Sequence, residues 1–118
     1  MIALNLQDFN YIMESDKPLP ENEQTTFILR ALSATEFGEM QSLTKLKGDV
    51  VDVASLNDQL MVVLRYGLVG WKNLLDGLGG TMEFDDNKKM DLIPAEARYE
   101  LFSQIMERST ISRNSSKN

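Results

Sequence analysis

The stretch RYGLVGWKNLLDG, Arg65 to Gly77, decides how the middle of this chain folds. It contains the only tryptophan and three of the seven glycines. Because each glycine costs a helix about 1 kcal/mol relative to alanine, Gly67 and Gly70 indicate close packing or a helix end. We therefore predict that a helix runs on to Trp71, which caps its closely packed last turns; a ligand pocket at these residues is the alternative.

The residues before this stretch predict the central helix. From about Ser55, apolar residues recur on one face at helical spacing, and the set is Leu56, Leu60, Val63, Leu64, Gly67, Leu68 and Trp71. After the helix, DGLGG (Asp76 to Gly80) predicts a turn and TMEF (Thr81 to Phe84) a short strand. We expect this strand to pair with TTFILRAL, Thr25 to Leu32, whose β-branched and aromatic residues favour a strand.

Two further helices are indicated by local signals. Ser33 and Glu36 have the spacing of a capping box, in which each side chain bonds the other residue's backbone N–H at a helix start. Pro94 suits the first position of a last helix, which carries apolar residues along one side, namely Ala95, Tyr99, Phe102, Ile105 and Met106.

These elements predict a mainly α (α+β) domain of about three helices with a small two-stranded antiparallel ribbon. At 118 residues the chain has the length of a single domain, since domains most often have about 100 to 150 residues. The prolines and acidic residues before the first strand predict an extended N-terminal arm over residues 1–24. Residues 25–108 then form the compact domain, and residues 109–118 a flexible polar tail.

Composition narrows the classes of partner. Twelve basic and eighteen acidic residues leave a net charge of −6. Nucleic-acid binders present clustered Lys and Arg, so this balance argues against nucleic acid as the main partner. The sequence has neither the ~18 consecutive apolar residues of a membrane span nor the leader pattern of a signal peptide, so we expect no membrane association.

The residues needed for most side-chain catalysis are missing. The sequence has no histidine and no cysteine, which excludes a Ser-His-Asp or Cys-His arrangement and zinc sites built on these ligands. Paired carboxylates remain, but no two acidic residues are marked as convergent. We therefore expect a non-enzymatic protein with no catalytic residues, no cofactor and no metal.

One segment has a partial resemblance in spacing to a calcium loop. DDNKKMDLIPAE places Asp85, Asn87 and Glu96 at the first, third and twelfth positions. A calcium loop also needs an oxygen ligand at the fifth position and glycine at the sixth, where this chain has Lys89 and Met90. A lysine there repels the ion, so we predict a solvated loop.

Seven methionines are many for a chain of this length. Unbranched, polarizable side chains adapt to varied partners, and Met61, Met82 and Met106 are the candidates for partner binding. Residue by residue, core filling is the stronger explanation. The prediction of a binding protein therefore follows by elimination of the other classes.

Three stretches resemble the tail assembly chaperones and related virion-morphogenesis proteins of tailed bacteriophages. They are Ser15 to Phe37, with a polar, proline-containing lead before a strand and a capped helix; Leu64 to Phe84, with a Gly-x-x-Gly-Trp-x-Asn pattern before a turn and a strand; and Ile93 to Asn118, a helix with a Ser/Thr-rich close. The most specific part is Gly67, Gly70, Trp71 and Asn73. The alternative explanation is that this chain and the family share these residues because the fold requires them.

The resemblance implies a protein that acts in the host cytoplasm during phage assembly. Such chaperones keep the tape-measure protein, a long helical chain, soluble until tail-tube subunits polymerise around it. The implied partners are the tape-measure protein, tail-tube subunits or neighbouring virion subunits, with self-association also open. The alternative is a small structural component of the virion, in the capsid, connector or tail, whose arm and tail are ordered by its neighbours. A cellular adaptor unrelated to phage is the third interpretation, and an enzyme is a distant fourth.

Overall fold

The elements of the chain alternate between short strands and helices. The computed structural model describes residues 6–44 and 46–115. The strands are β1 (Phe9–Ile12), β2 (Thr26–Leu29), β3 (Leu46–Lys47), β4 (Val50–Val51), β5 (Leu68–Lys72), β6 (Leu74–Leu75) and β7 (Thr81–Met82). The α-helices are α1 (Ala34–Gln41), α2 (Val53–Gly67), α3 (Lys89–Leu92) and α4 (Ala95–Ser115), and a 3-10 turn covers Glu21–Glu23.

A three-stranded antiparallel sheet of order β1-β2-β5 forms one layer of the domain. The register pairs Phe9 with Leu29 on one side of β2 and Trp71 with Phe27 on the other. Side chains alternate along β2, so that Phe27 and Leu29 are buried while Thr26 and Ile28 are half-buried. This alternation is typical of a sheet with one face on the core.

The helices pack together beside this sheet. Helix α2 contacts both α1 and α4, and α4 contributes Leu101 and Ile105, one turn apart and fully buried. The buried core joins residues of both layers, namely Phe27, Leu29, Leu32, Met40, Val62, Val63, Leu64, Leu68, Trp71, Ile93, Ala97, Leu101 and Ile105. In the described part of the chain, no helix is both long enough and apolar enough to cross a membrane.

The domain is α+β, but the prediction of a mainly helical domain with one two-stranded ribbon is wrong. Strands β6 and β7 pair with each other across a glycine-rich turn, and β3 pairs with β4. The expected pairing of Thr25–Leu32 with Thr81–Phe84 does not form, because β1 and β5 take the two edges of β2. A short turn brings neighbouring segments together at a lower entropic cost than a distant pairing.

The central helix is shorter at its end than predicted. Helix α2 begins after its N-cap residue Asp52, whose side chain accepts a hydrogen bond from Ala54 N–H, and the helix ends at Gly67. Leu68 to Trp71 continue as strand β5, so Trp71 is a strand residue and does not cap a helix. The physical reason is packing of Gly67 and Lys89 at the end of α2, described below.

Both ends of the predicted domain extend further than the sequence indicated. Within the predicted arm, Phe9–Ile12 forms strand β1 of the sheet, and Tyr11 OH donates a 2.5 Å hydrogen bond to Glu100 Oε2 on α4. Helix α4 continues into the predicted tail as far as Ser115. Ser109 is fully buried, and its hydroxyl accepts a 2.9 Å hydrogen bond from Leu32 N–H. Residues 9–12 and Ser109 are therefore parts of the folded domain.

Candidate functional site

Gly67 ends α2 at a point where helix α4 comes very close. A Cβ atom placed on Gly67 would lie 2.6 Å from Ile105 Cδ1 and 2.8 Å from its Cγ2. The Gly67 carbonyl accepts a 2.9 Å hydrogen bond from Arg30 N–H, which ties the helix end to the sheet region. A Cβ on Gly70 would lie 3.2 Å from Ile28 Cδ1 on the neighbouring strand. At both glycines, protein side chains occupy the space that the alternative, a ligand pocket, would need.

We expect Gly67→Ala to lower the free energy of unfolding by about 1–3 kcal/mol, the usual cost of overpacking a core. Helix α1 supplies a matched control, because Gly38 is a helical glycine whose added Cβ would meet no atom within 4 Å. Gly38→Ala should stabilise the protein by roughly 0.5–1 kcal/mol through its helix propensity. Urea denaturation measures both changes. Equal effects of the two substitutions would contradict the close packing at Ile105.

Lys89 is buried at the junction of α2 and β5, with 2 % of its surface exposed. Its Nζ donates hydrogen bonds to Arg65 O at 2.8 Å, to Leu68 O at 2.7 Å and to Asp86 Oδ1 at 2.8 Å. The last carbonyls of a helix lack intrahelical partners and carry partial negative charge. Lys89 therefore caps the end of α2 and fixes the point where the helix becomes a strand.

The prediction of a solvated loop is wrong for Lys89. A lysine among polar neighbours has no feature in the sequence that distinguishes burial from exposure. The only available signal was indirect, since an α2 that ends inside the core needs a donor for its carbonyl groups. Residues 89–92 also form helix α3 instead of a loop.

Trp71 joins the sheet to the β6–β7 hairpin. It is 6 % exposed, and its ring makes edge-to-face contacts with Phe84 at 4.9 Å and with Phe27 at 6.4 Å between centroids. Its Nε1–H donates a 2.8 Å hydrogen bond to Met82 O on β7. Such aromatic pairs add to the stabilisation that burial alone gives. Trp71 thus holds the hairpin against the core.

Asn73 makes the turn that leads from β5 into the hairpin. Its φ of 62° is in the left-handed region, which asparagine tolerates better than most residues. The side-chain amide donates hydrogen bonds to Asn22 O at 2.8 Å and to Gln24 O at 3.0 Å. Its own carbonyl accepts a bond from Thr25 Oγ1 at 2.9 Å. Asn73 therefore fixes both the turn and the segment before β2.

The β6–β7 hairpin presents apolar side chains to solvent. Asp76 Oδ1 accepts hydrogen bonds from Leu78 N–H at 2.7 Å and Gly80 N–H at 3.0 Å, which order the turn. Leu78 at the tip is 92 % exposed, Leu75 is 49 % exposed and Met82 is 36 % exposed. We name these three residues, with Thr81 and Glu83, the hairpin surface; the register places Leu75 with Thr81 on one face of the hairpin and Met82 with Leu74 on the other. Exposed large apolar side chains such as these are candidates for contact with a partner protein.

The three methionines proposed for partner binding have different environments. Met82 lies on the hairpin surface, while Met106 packs against the core. Met61 is half-buried on α2. Of the three, only Met82 is exposed, and the register puts it on the face of the hairpin opposite Leu75.

The predicted capping box at Ser33 and Glu36 is confirmed. Ser33 Oγ accepts from Glu36 N–H at 3.2 Å, and Glu36 Oε1 accepts from Ser33 N–H at 2.9 Å. The Arg30 guanidinium adds two bonds of 2.8 Å, one to each carboxylate oxygen. This pairing with Arg30, followed by the Ser33 bonds, lowers the pKa of Glu36 from 4.5 to about 2. Its role is to start α1.

The lowered pKa of Glu36 makes stability depend on pH in acid. A depressed carboxyl pKa contributes stability that is complete above the unfolded value and is lost as pH falls through the folded value. We expect roughly 2 kcal/mol to be lost between pH 4.5 and pH 2, the range set by the two pKa values. Chemical denaturation of the parent chain and of Glu36→Gln across this pH range measures the loss of unfolding free energy. Glu23→Gln leaves the Arg30 pair intact and should keep the acid-dependent loss; the same loss in Glu36→Gln would refute the assignment.

The segment that resembled a calcium loop is organised by its own hydrogen bonds. Asp85 Oδ1 accepts from Asn87 N–H at 2.9 Å, and Asp86 pairs with Lys89. Within residues 6–44 and 46–115, no three His, Cys, Asp or Glu residues are placed to hold a metal ion. An open depression of about 660 Å³ lies beside the hairpin, and it is lined by Met82, Glu83, Phe84, Asp85, Asp86, Asn87, Lys88 and Leu92.

No protein-family model matches the chain, and searches of the curated proteins and of the solved structures found no match. Gly67, Gly70, Trp71 and Asn73 each pack against or bond the domain's own atoms. The neighbouring part of the chain that is exposed to solvent is the hairpin surface. The sequence indicated Met82 but not Leu75 or Leu78, because an exposed leucine cannot be told from a buried one by its identity.

Proposed function

We propose that this chain is a non-enzymatic morphogenesis protein of a tailed bacteriophage, and specifically a tail assembly chaperone. In this proposal it binds the tape-measure protein or tail subunits in the host cytoplasm through the hairpin surface. The resemblance of Ser15–Phe37, Leu64–Phe84 and Ile93–Asn118 to that class motivates the choice of family. The exposure of three apolar side chains on one short hairpin, those of Leu75, Leu78 and Met82, is the observation that carries the binding role.

The construction of the hairpin supports this role physically. Hydrogen bonds from Trp71 to the Met82 carbonyl and from the turn N–H groups to Asp76 stabilise the hairpin. A binding surface that is already ordered loses less conformational entropy when a partner docks. Leucine and methionine side chains on such a surface can cover the apolar stripe of a client helix, which keeps the client from aggregating until tail-tube subunits replace the chaperone.

Direct binding to the tape-measure protein encoded by the same phage tests the proposal. Purified full-length chain should bind that protein in solution, and Leu78→Ser should weaken binding at least tenfold. Leu19→Ser is the matched control, because Leu19 is also exposed, at 40 %, but lies outside the hairpin surface. Neither substitution should change stability by more than about 0.5 kcal/mol, as is usual for exposed sites.

The copy number of the chain in purified phage particles separates this proposal from the alternative. Quantitative mass spectrometry should find the chain in the lysate and not in particles. A fixed copy number in particles would instead make it a structural component of the virion. No binding to the tape-measure protein or to tail subunits would reject the chaperone proposal.

A further inference from the structure

The segment around the hairpin surface is unusually acidic for its size. Residues 74–92 contain five acidic residues and two lysines, which leaves a net charge of −3, half of the −6 carried by the whole chain. One of the two lysines, Lys89, is buried and paired with Asp86. Exposed Leu75 and Leu78 therefore belong to a segment of net negative charge.

The side chains of these acidic residues differ in whether they already have a partner within the domain. Asp76, Asp85 and Asp86 accept hydrogen bonds from the turn, from Asn87 N–H and from Lys89. Glu83 is exposed, and within the described part of the chain no hydrogen bond or ion pair is formed by its side chain. Glu83 follows Thr81 by two positions, and Thr81 is paired directly with Leu75. Leu75 and Thr81 therefore share a face of the hairpin, and Glu83 follows just after the end of β7.

The depression beside the hairpin suits a long basic side chain. Half-buried Phe84 and Leu92 supply apolar contact, and the acidic residues that line the depression, Glu83, Asp85 and Asp86, outnumber the one basic residue of its lining, Lys88. Lysine and arginine bury their aliphatic stems along apolar surface while the charged end stays hydrated or paired. An acidic client segment would meet like charge at every one of these carboxylates.

We infer that the hairpin surface receives a basic amphipathic helix. Apolar side chains of that helix contact Leu75 and Leu78, and a flanking Lys or Arg reaches Glu83 across the depression. This inference rests on the proposed function for the role of the surface, and it adds the chemistry of the client segment. Charge complementarity selects the partner, and the apolar contacts hold it.

Two designed helical peptides test the inference against full-length chain. Both carry the same leucine stripe; one has Lys and Arg on its flanks, and the other has Glu. Fluorescence anisotropy of labelled peptides should show at least tenfold tighter binding of the basic peptide, and the difference should shrink as salt screens the charges. Glu83→Lys should weaken binding of the basic peptide at least tenfold, and Leu78→Ser should have an effect of the same size.

Glu21→Lys is the control for net charge, because it changes the total charge by the same amount as Glu83→Lys at an exposed residue outside this segment. The affinity of this variant for the basic peptide should stay within about twofold of that of the parent chain. Equal binding of the two peptides, or equal effects of Glu21→Lys and Glu83→Lys, would overturn the inference.

The same variants separate failure of the inference from failure of the proposed function. If the tape-measure protein binds Glu83→Lys as tightly as the parent chain, the charge inference is wrong and the chaperone proposal stands. If the basic peptide behaves as expected while neither the tape-measure protein nor tail subunits bind, the inference about the surface stands and the chaperone proposal is wrong.

Discussion

Trp71→Ala is expected to lower the free energy of unfolding by about 3–5 kcal/mol, as truncation of a buried aromatic side chain does. Trp71 is 6 % exposed, and its removal leaves a cavity beside Phe27 and Phe84. It also leaves Met82 O without its indole donor. Urea denaturation with tryptophan-independent detection, such as far-UV circular dichroism, measures the loss.

Trp71→Phe is the control that separates packing from the hydrogen bond. Phenylalanine retains an aromatic ring in contact with Phe27 and Phe84 but cannot donate to Met82 O. We expect it to cost clearly less than alanine, since a single hydrogen bond contributes about 0.5–1.5 kcal/mol. If Trp71→Ala had the stability of the parent chain and lost client binding instead, Trp71 would be a surface anchor and the packing described above would be wrong.

Lys89→Met is expected to lower the free energy of unfolding by about 2–5 kcal/mol. Methionine can fill much of the same space, but it cannot donate to Arg65 O and Leu68 O. Each buried acceptor left without a partner costs about 1–3 kcal/mol. Asp86 adds little, because its side chain is 73 % exposed and water can replace the lysine.

Lys88→Met supplies the matched control next to Lys89 in the chain. Lys88 is exposed, so the same chemical change there should alter stability by no more than about 0.5 kcal/mol. Urea denaturation of both variants is the measurement. Similar effects of the two substitutions would mean that the carbonyl groups at the end of α2 do not depend on Lys89.

Features that depend on a few neighbouring residues could be predicted from the sequence. The capping box needs only Ser33 and Glu36, three positions apart, and both of its hydrogen bonds are present. Strand β2 was also indicated by its own composition, and it covers Thr26–Leu29. In both cases the deciding contacts are local or the propensity is strong.

Features that depend on distant residues could not be predicted. Leu68 and Trp71 fit the apolar face of a continuing helix as well as they fit a strand, and contacts with residues far along the chain decide between them. Ile105 lies against Gly67, and Lys89 bonds Arg65 O and Leu68 O. The partners of β2 were missed for the same reason, since periodicity does not show which strands pair.

For the candidate site, the sequence identified the residues that build the hairpin better than those that the hairpin presents. Trp71 and Asn73 stood out through rarity and family resemblance, and the structure gives each a position that supports the hairpin. Leu78 did not stand out, although it is 92 % exposed. A residue's exposure is a property of the finished fold.

The bond between Leu32 N–H and Ser109 Oγ, 77 positions apart in the chain, also has a consequence for how the protein is made. Domains generally fold as units while the ribosome adds about 5–20 residues per second. Here the sheet and α2 are synthesised first, but Leu101, Ile105 and Ser109 complete their packing. The native packing of the sheet and α2 is therefore complete only after Ser109 has been synthesised, so the core forms late relative to the synthesis of its strands.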